Sequence, residues 1–306
     1  MLSIYVIFAP RKLKNMEQVL VTGADGQLGT ALRRISETLT GFTCFFTDVD
    51  TLDIFDRAML DAFVKTHGIG TIINCAAYTA VDRAEDDVER CMRINRDAVR
   101  TIGEVAASVK ARVIHISTDY VFDGCGNRPY REDDPANPTT VYGKSKLAGE
   151  QALLHVCPDA MIIRTAWLYS ETGSNFVKTM LRLGKERDTI GVVTDQKGTP
   201  TYAGDLAAAI GVVLTAERFI PGIYHYTNSG ECTWYDFAVK IFELARMQCI
   251  IKPLTTAEYP TRAVRPAYSV LDTTKILATY GVEMPLWEER LGQLIIDNGQ
   301  WTIENG

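Results

Sequence analysis

The sequence predicts an α/β fold built on a doubly wound parallel sheet, with a smaller mixed α/β region in its C-terminal half. Three observations carry this. Short apolar runs rich in β-branched residues recur at 18–22 (QVLVT), 71–74 (TIIN), 112–117 (RVIHIS) and 161–164 (MIIR), separated by helix-period segments, the alternation that builds parallel sheets. The first run ends in a glycine loop, Gly23-Ala-Asp-Gly-Gln-Leu-Gly29, and an amphipathic segment follows at once. From about Phe176 the alternation loosens into a mixture of short strands and helices.

Gln18 to Thr22 reads as the first strand and Gln27 to Leu39 as the first helix. The glycines therefore stand in the strand, loop, helix context of a dinucleotide fingerprint, and the fold reads as Rossmann-type. Gly23 permits the tight turn, Gly26 lets the backbone approach a pyrophosphate, and Gly29 lets helix pack on strand. Asp25, Gln27 and Leu28 complete this cofactor loop at a helix N-terminus, which favours negative charge. Thr43 to Val49 reads as the second strand. Asp48, about 20 residues past the loop, can accept hydrogen bonds from a ribose and would repel a 2′-phosphate. Asp25 is also negative and no Arg or Lys stands near either in the chain, so local electrostatics favour NADH. Asp53 reads as the cap of a helix over Phe55 to Phe63. After the third strand, Thr71 to Asn74, the small Ala76 and Ala77 suit a backbone passing close to a cofactor, and Tyr78, Thr79 and Val81 can reach a substrate. One long helix is expected from Asp87 to Val109, with Asn95 mid-helix, where asparagine is an indifferent surface choice.

Chemistry is expected between Ser117 and Glu150. Thr118 and Asp119 fall at the carboxyl end of the strand that starts at Arg112, the side on which open α/β sheets bind ligands. Asp123 to Thr140 is rich in Gly, Pro, Asp and Asn and reads as a loop over the site. Tyr142 then sits in the first turn of an amphipathic helix with Lys146 one turn on, so hydroxyl and ammonium point into the same space. The cation favours phenolate and lowers the tyrosine pKa from about 10 towards working pH. Tyr142 thereby becomes a usable general acid or base, and Thr118 a second donor to the same substrate oxygen. The Tyr-x-x-x-Lys spacing is weak alone; its place after a strand end gives it weight.

Ser117-Thr-Asp-Tyr-Val-Phe-Asp-Gly124 followed by Val141-Tyr-Gly-Lys-Ser-Lys-Leu-Ala-Gly-Glu150 resembles the extended short-chain dehydrogenase/reductases, and within them closely resembles the dTDP-4-dehydrorhamnose reductase family, from about Glu17 to the C-terminus. The resemblance implies reduction of the C4 ketone of a dTDP-linked 4-keto-6-deoxy sugar, with NADPH and often NADH as donor. It implies Asp53 and Ile54 beside the adenine and residues 75–81 lining cofactor and substrate. It further implies that Asn95 supports Lys146 through water, and that Asp119, Tyr120 and Trp167 lie at the substrate. A homodimer with Mg²⁺ is also implied, but no cluster has ligand spacing and no metal residue is assigned. A 4,6-dehydratase would carry Glu after Thr-Asp, where Tyr120 stands, and the epimerase motifs fit less well. A contrasting reading is a partner protein like the regulatory subunit of methionine adenosyltransferase; intact Thr118, Tyr142 and Lys146 favour an enzyme.

Composition bounds the rest. A net charge of −6 and a pI near 5.4 give no basic patch for nucleic acid. Seven scattered cysteines form no Cys-x-x-Cys pair, which suits a reducing cytoplasm. Residues 1–15 read as an extension: the apolar run is too short to span a bilayer, and its charges follow rather than precede it. The expected division is 16–165 for the dinucleotide and 166–306 mainly for substrate, with some later elements returning to the sheet. Arg262 and Arg265 are candidates for a diphosphate. In that second half helices are expected over Phe176 to Lys185, Gly204 to Ala216, Tyr235 to Arg246 and Leu286 to Ile296, and strands over Gly191 to Val193 and Gly222 to Thr227.

Overall fold

The computed structural model describes residues 16–297, so the extension read over 1–15 lies outside the described residues. Four β-α units and a fifth strand open the chain: β1 (Glu17–Thr22), α1 (Gln27–Ser36), β2 (Phe42–Thr47), α2 (Arg57–His67) and β3 (Ile69–Asn74) are followed by the short α3 (Val81–Ala84) and α4 (Val88–Met92), then α5 (Ala98–Val109), β4 (Arg112–Thr118), α6 (Val141–Val156) and β5 (Met161–Thr165). The second half holds β6 (Leu168–Tyr169), α7 (Phe176–Glu186), β7 (Thr189–Val193), β8 (Lys197–Gly198), β9 (Thr201–Tyr202) and α8 (Ala203–Thr215). It ends with β10 (Gly222–His225), β11 (Cys232–Thr233), α9 (Trp234–Leu244), β12 (Ile250–Leu254), α10 (Thr274–Tyr280) and α11 (Trp287–Asp297).

The main sheet has the order β10-β5-β4-β3-β1-β2, and its neighbouring strands pair in parallel. Its strands are continuous apolar runs because both faces are covered. With a side-chain period of two, Val19, Val21, Ile73 and Ile114 point to the layer of α1 and α8, where Leu28, Leu32, Leu206 and Ile210 meet them. Leu20, Ile72 and Val113 point to the opposite layer, against Leu60 of α2, Ile102 of α5 and Leu153 of α6. The strand order reverses between β1 and β3, so their carboxyl ends open a crevice. β10, from the second half of the chain, closes one edge beside β5 in register Ile223↔Ile162. A third core gathers Val177, Leu181, Phe237, Ile241, Trp287 and Leu291 from α7, α9 and α11 beside the β7–β12 pair.

Three local expectations are corrected. The helix at 57 is capped by Asp56, whose carboxylate accepts from the Met59 N–H at 3.0 Å, while Asp53 instead closes a turn onto the Phe55 N–H at 2.9 Å. The long helix over 87–109 is interrupted at Arg93–Asp97 by a π-helical turn. That turn carries Asn95 inward, so it is fully buried and not a surface residue. β12 and α10 are absent from the sequence reading. β12 pairs only with β7 and leaves Ile250 exposed, so its sequence, IIKPL, has neither alternation nor a buried run.

Candidate active site

The glycine loop is shaped by close approach. Gly23 has φ +66°, and a Cβ there would lie 2.5 Å from the Ala76 backbone nitrogen. Only glycine lets β1 and β3 end this close together. α1 begins just beyond, and its Gly26 cap offers no side-chain acceptor and its first turn no acid. The open N–H groups at that end fit a pyrophosphate. Gln27 ties the loop to the second half of the chain by accepting from Ser170 at 3.1 Å and from Asn175 at 2.9 Å.

Two cavities meet at this loop, both touching Gly23, Gly26, Cys75 and Ala77. The smaller, about 320 Å³, is walled by Asp48, Asp53, Ile54, Ala76 and Arg90 among others, and has the place and size for an adenosine. Asp48 is partly committed, since its carboxylate accepts from the backbone N–H groups of Asp25 (3.1 Å) and Val49 (2.8 Å). Asp25 itself points outward, with its side chain 80% exposed and 3.8 Å from Arg33. The expectation that no cation stands near these carboxylates is therefore corrected. Arg33 is one helical face away, and α4 brings Arg90 into the cavity from a distant part of the chain.

The larger cavity, about 600 Å³, brings together Gln27, Leu28, Gly29, Thr79, Val81, Thr118, Asp119, Tyr120, Tyr142, Lys146 and Trp167. α6 starts at Thr140, whose hydroxyl accepts from the Gly143 N–H at 3.0 Å and so fixes Tyr142 in the first turn. Tyr142 is buried and meets Tyr120 edge-on at 5.5 Å. Burial pushes its phenol above the ordinary range, and the nearby Thr118 hydroxyl draws it back down. Lys146 does not bond to it. Its Nζ donates to the Ile116 carbonyl at 2.7 Å and lies 3.4 Å from His115 Nε2, and burial lowers its pKa to about 8. The expected lowering of Tyr142 by the lysine is thus overridden by desolvation. A phenol that keeps its proton is the form a general acid requires.

Tyr78 and Asn95 line neither cavity. The Tyr78 ring packs with Ala84, Cys91 and Tyr142. Asn95 clamps the backbone of that residue from both sides, accepting from Tyr78 N at 2.8 Å and donating to Tyr78 O at 3.0 Å, and it donates to Ser145 on α6 at 2.9 Å. The π turn fits against α6 because Gly149 has no side chain; a Cβ there would fall 2.0 Å from the Asn95 carbonyl oxygen.

The opposite wall comes from the second half of the chain. Trp167 has a left-handed backbone, φ +47°, and stacks on Trp234 at 3.5 Å with 8° between the rings. Strain of this kind persists only where packing enforces it. Arg265 enters the cavity, donates to the Tyr120 hydroxyl at 3.1 Å and pairs with Asp82, whereas Arg262 pairs with Asp86 at the surface. No group of three or more His, Cys, Asp or Glu stands ready to hold a metal among the described residues, so no step is assigned to a cation.

A family model described as RmlD substrate binding domain matches residues 16–299. The dTDP-4-dehydrorhamnose reductase of Aggregatibacter actinomycetemcomitans is 42% identical over 288 residues, covering 90% of this chain and 97% of that protein. The chain belongs to the dTDP-4-dehydrorhamnose reductase family. A family member from Clostridium acetobutylicum superposes with a TM-score of 0.88 at 41% identity, covering 92% of this chain and 99% of the other. Another, from Bacillus anthracis and solved in complex with NADP, gives 0.87 at 39% identity over the same shares. The fold expected from the sequence is therefore the fold of the family. Arg90 and Trp234 are among the cavity residues that the sequence does not single out. Arg90 resembles any solvated helix charge. Trp234 follows Thr233, whose capping box with Asp236 marks a helix start and was the available signal. Among the described residues, no helix is long and apolar enough to cross a membrane.

Proposed function

We propose that the chain reduces the C4 ketone of dTDP-4-dehydro-β-L-rhamnose (dTDP-6-deoxy-L-lyxo-4-hexulose) to give dTDP-L-rhamnose, the last step in making that sugar donor for cell-surface polysaccharide. The observation that carries the reading is the meeting of Thr118, Tyr142 and Lys146 in one cavity that adjoins the Gly23–Gly29 loop. NADPH or NADH, held by the glycine loop with Asp48, Asp53, Ile54, Ala76 and Ala77, supplies the hydride when bound. Tyr142 gives its proton to the oxygen that gains charge, and Thr118 donates to the same oxygen; donors fixed where charge develops are commonly the largest catalytic effect. Lys146 supports the tyrosine and the nicotinamide ribose. Trp167 and Trp234 form an apolar wall for sugar or base, and Arg265 can leave Asp82 for a diphosphate. Arg90 and Arg33 offer the charge that a 2′-phosphate needs, which offsets Asp48 and supports NADPH as a donor.

In this reading residues 16–165 hold the dinucleotide and 166–306 mainly the nucleotide sugar. The cytoplasm is the proposed compartment, supported by seven cysteines that are all unpaired. The homodimer implied by the resemblance is checked by light scattering on the purified chain. The deciding assay follows loss of reduced-nicotinamide absorbance with the dTDP-4-keto-L-sugar, NADH and NADPH in parallel. Turnover with product identified as dTDP-L-rhamnose supports the proposal. No turnover with either donor, despite cofactor binding, sinks it in favour of another sugar or of a binding module.

A further inference from the structure

A buried polar chain runs behind the site, from β1 across β3 and β4 to α6. The Thr22 hydroxyl donates to Asn74 Oδ1 at 2.8 Å, and the Ala76 backbone N–H donates to the same atom at 3.1 Å. A backbone N–H can only donate, so the amide oxygen of Asn74 must lie on that side and its NH₂ must face the other way. There it meets His115 Nδ1 at 3.0 Å. Nδ1 therefore accepts, and a neutral His115 carries its proton on Nε2. The ring is neutral because it is wholly buried, and that burial holds its pKa well below the ordinary value. Nε2 lies 3.4 Å from Lys146 Nζ. An imidazole N–H and an ammonium are both donors and cannot bond to each other, whereas an N–H and a neutral amine can.

We infer that His115, its proton placed on Nε2 by Asn74, is a positioning residue for Lys146, favouring the neutral amine over the ammonium in the seat beneath Tyr142. The strand period makes this possible. His115 and Ser117 point to one face of β4, and Lys146 and Glu150, one helical turn apart on α6, descend onto that face; Ser117 bonds Glu150 as His115 meets Lys146. The other groups facing the amine are accounted for. Glu150 favours the ammonium but is itself held by the Arg164 guanidinium through bonds of 2.9 and 2.7 Å. The Cys75 and Cys91 thiols and the Tyr142 phenol are neutral at working pH, since burial raises all three. The amine has two hydrogen-bond partners among the described residues: the Ile116 carbonyl at 2.7 Å, which accepts from amine and ammonium alike, and His115 Nε2 at 3.4 Å, which presents a donor. Its consequence for turnover rests on the reductase reading; the charge of Lys146 does not.

The test needs no substrate. In the full chain, the ¹⁵N shifts of the imidazole rings report the tautomer directly, and only four histidines have to be assigned. His115 is expected as the Nε2–H form. Lysine labelled at the ε-carbon then gives the titration of Lys146 in the native chain, in His115→Gln and in His115→Leu. In the glutamine variant Asn74 dictates that the new carbonyl faces it and the new NH₂ faces Lys146, so the donor is kept and the midpoint stays. In the leucine variant the donor is gone and the midpoint should rise by about one pH unit. An Nδ1–H tautomer, or equal midpoints in the two variants, overturns the inference. If His115→Leu does not fold, the tautomer in the native chain still decides it. Absence of turnover in the native chain, with the titration as expected, would fault the reductase reading alone.

Discussion

Asp119 is where the site works against the stability of the fold. The residue is 3% exposed, Oδ1 accepts from the Thr118 hydroxyl at 2.9 Å, and Oδ2 is buried without a hydrogen bond. Burial raises its pKa from 3.8 to about 6, against the pull of the Thr118 and Ser269 hydroxyls. The folded carboxyl thus holds its proton more tightly than the unfolded one. The stability that the neutral form contributes is complete below the unfolded pKa and is lost as pH rises through about 6. A shift of roughly two units at about 1.36 kcal/mol each is about 3 kcal/mol. Asp119→Asn removes the titration. Its fixed costs, such as an unpartnered amide, are the same at every pH and cancel when two pH values are compared. The difference in unfolding free energy between variant and native chain should therefore grow in the variant's favour by about 2.5 kcal/mol from about pH 4 to about pH 8, the remainder being lost already by about pH 4. Urea unfolding at both values measures it. An unchanged difference would refute the claim that Asp119 is held charged at a cost in the folded site.

Three further outcomes follow from the geometry. Tyr142→Phe keeps the buried ring and removes the proton donor, so kcat should fall by about 10²- to 10⁴-fold while cofactor affinity, read by fluorescence titration, holds; loss of cofactor binding would count against an acid role. Arg90→Ala should weaken NADPH about tenfold more than NADH if the guanidinium meets the 2′-phosphate, and equal losses for the two donors would remove it from that role. Trp167→Ala should raise KM for the nucleotide sugar by about tenfold with the cofactor Kd unchanged, since its ring stacks on Trp234 to form the cavity's apolar wall.

The sheet was legible because its strands are buried on both faces, and a run such as RVIHIS has few other ways to satisfy its backbone and side chains together. The helix that carries Tyr142 and Lys146 was legible for a related reason: Thr140 caps it, and the period of 3.6 then sets the two residues on one face whatever surrounds them. Asn95 was legible only through the family resemblance, because a π turn changes which face a residue occupies, and a single inserted residue leaves the apolar period almost intact. The Tyr142 pKa was misjudged because spacing reports proximity along a helix, whereas desolvation depends on everything packed around it.

The wall formed by Trp167, Trp234 and Arg265 was the least legible part, for a reason of topology. Arg265 reaches Asp82 across 183 residues and Tyr120 across 145, and no local pattern encodes a contact at that range. What the chain does encode is the means of delivering it. β10 pairs with β5 at the sheet edge, and residues 260–266 return over α3, where the Ala263 N–H donates to Asp82 at 3.0 Å. Asp82 therefore holds both the backbone of this strap and the guanidinium of Arg265. A ligand anion that draws Arg265 inward leaves Asp82 bonded to the strap, so the arginine can change partners without releasing the segment that carries it.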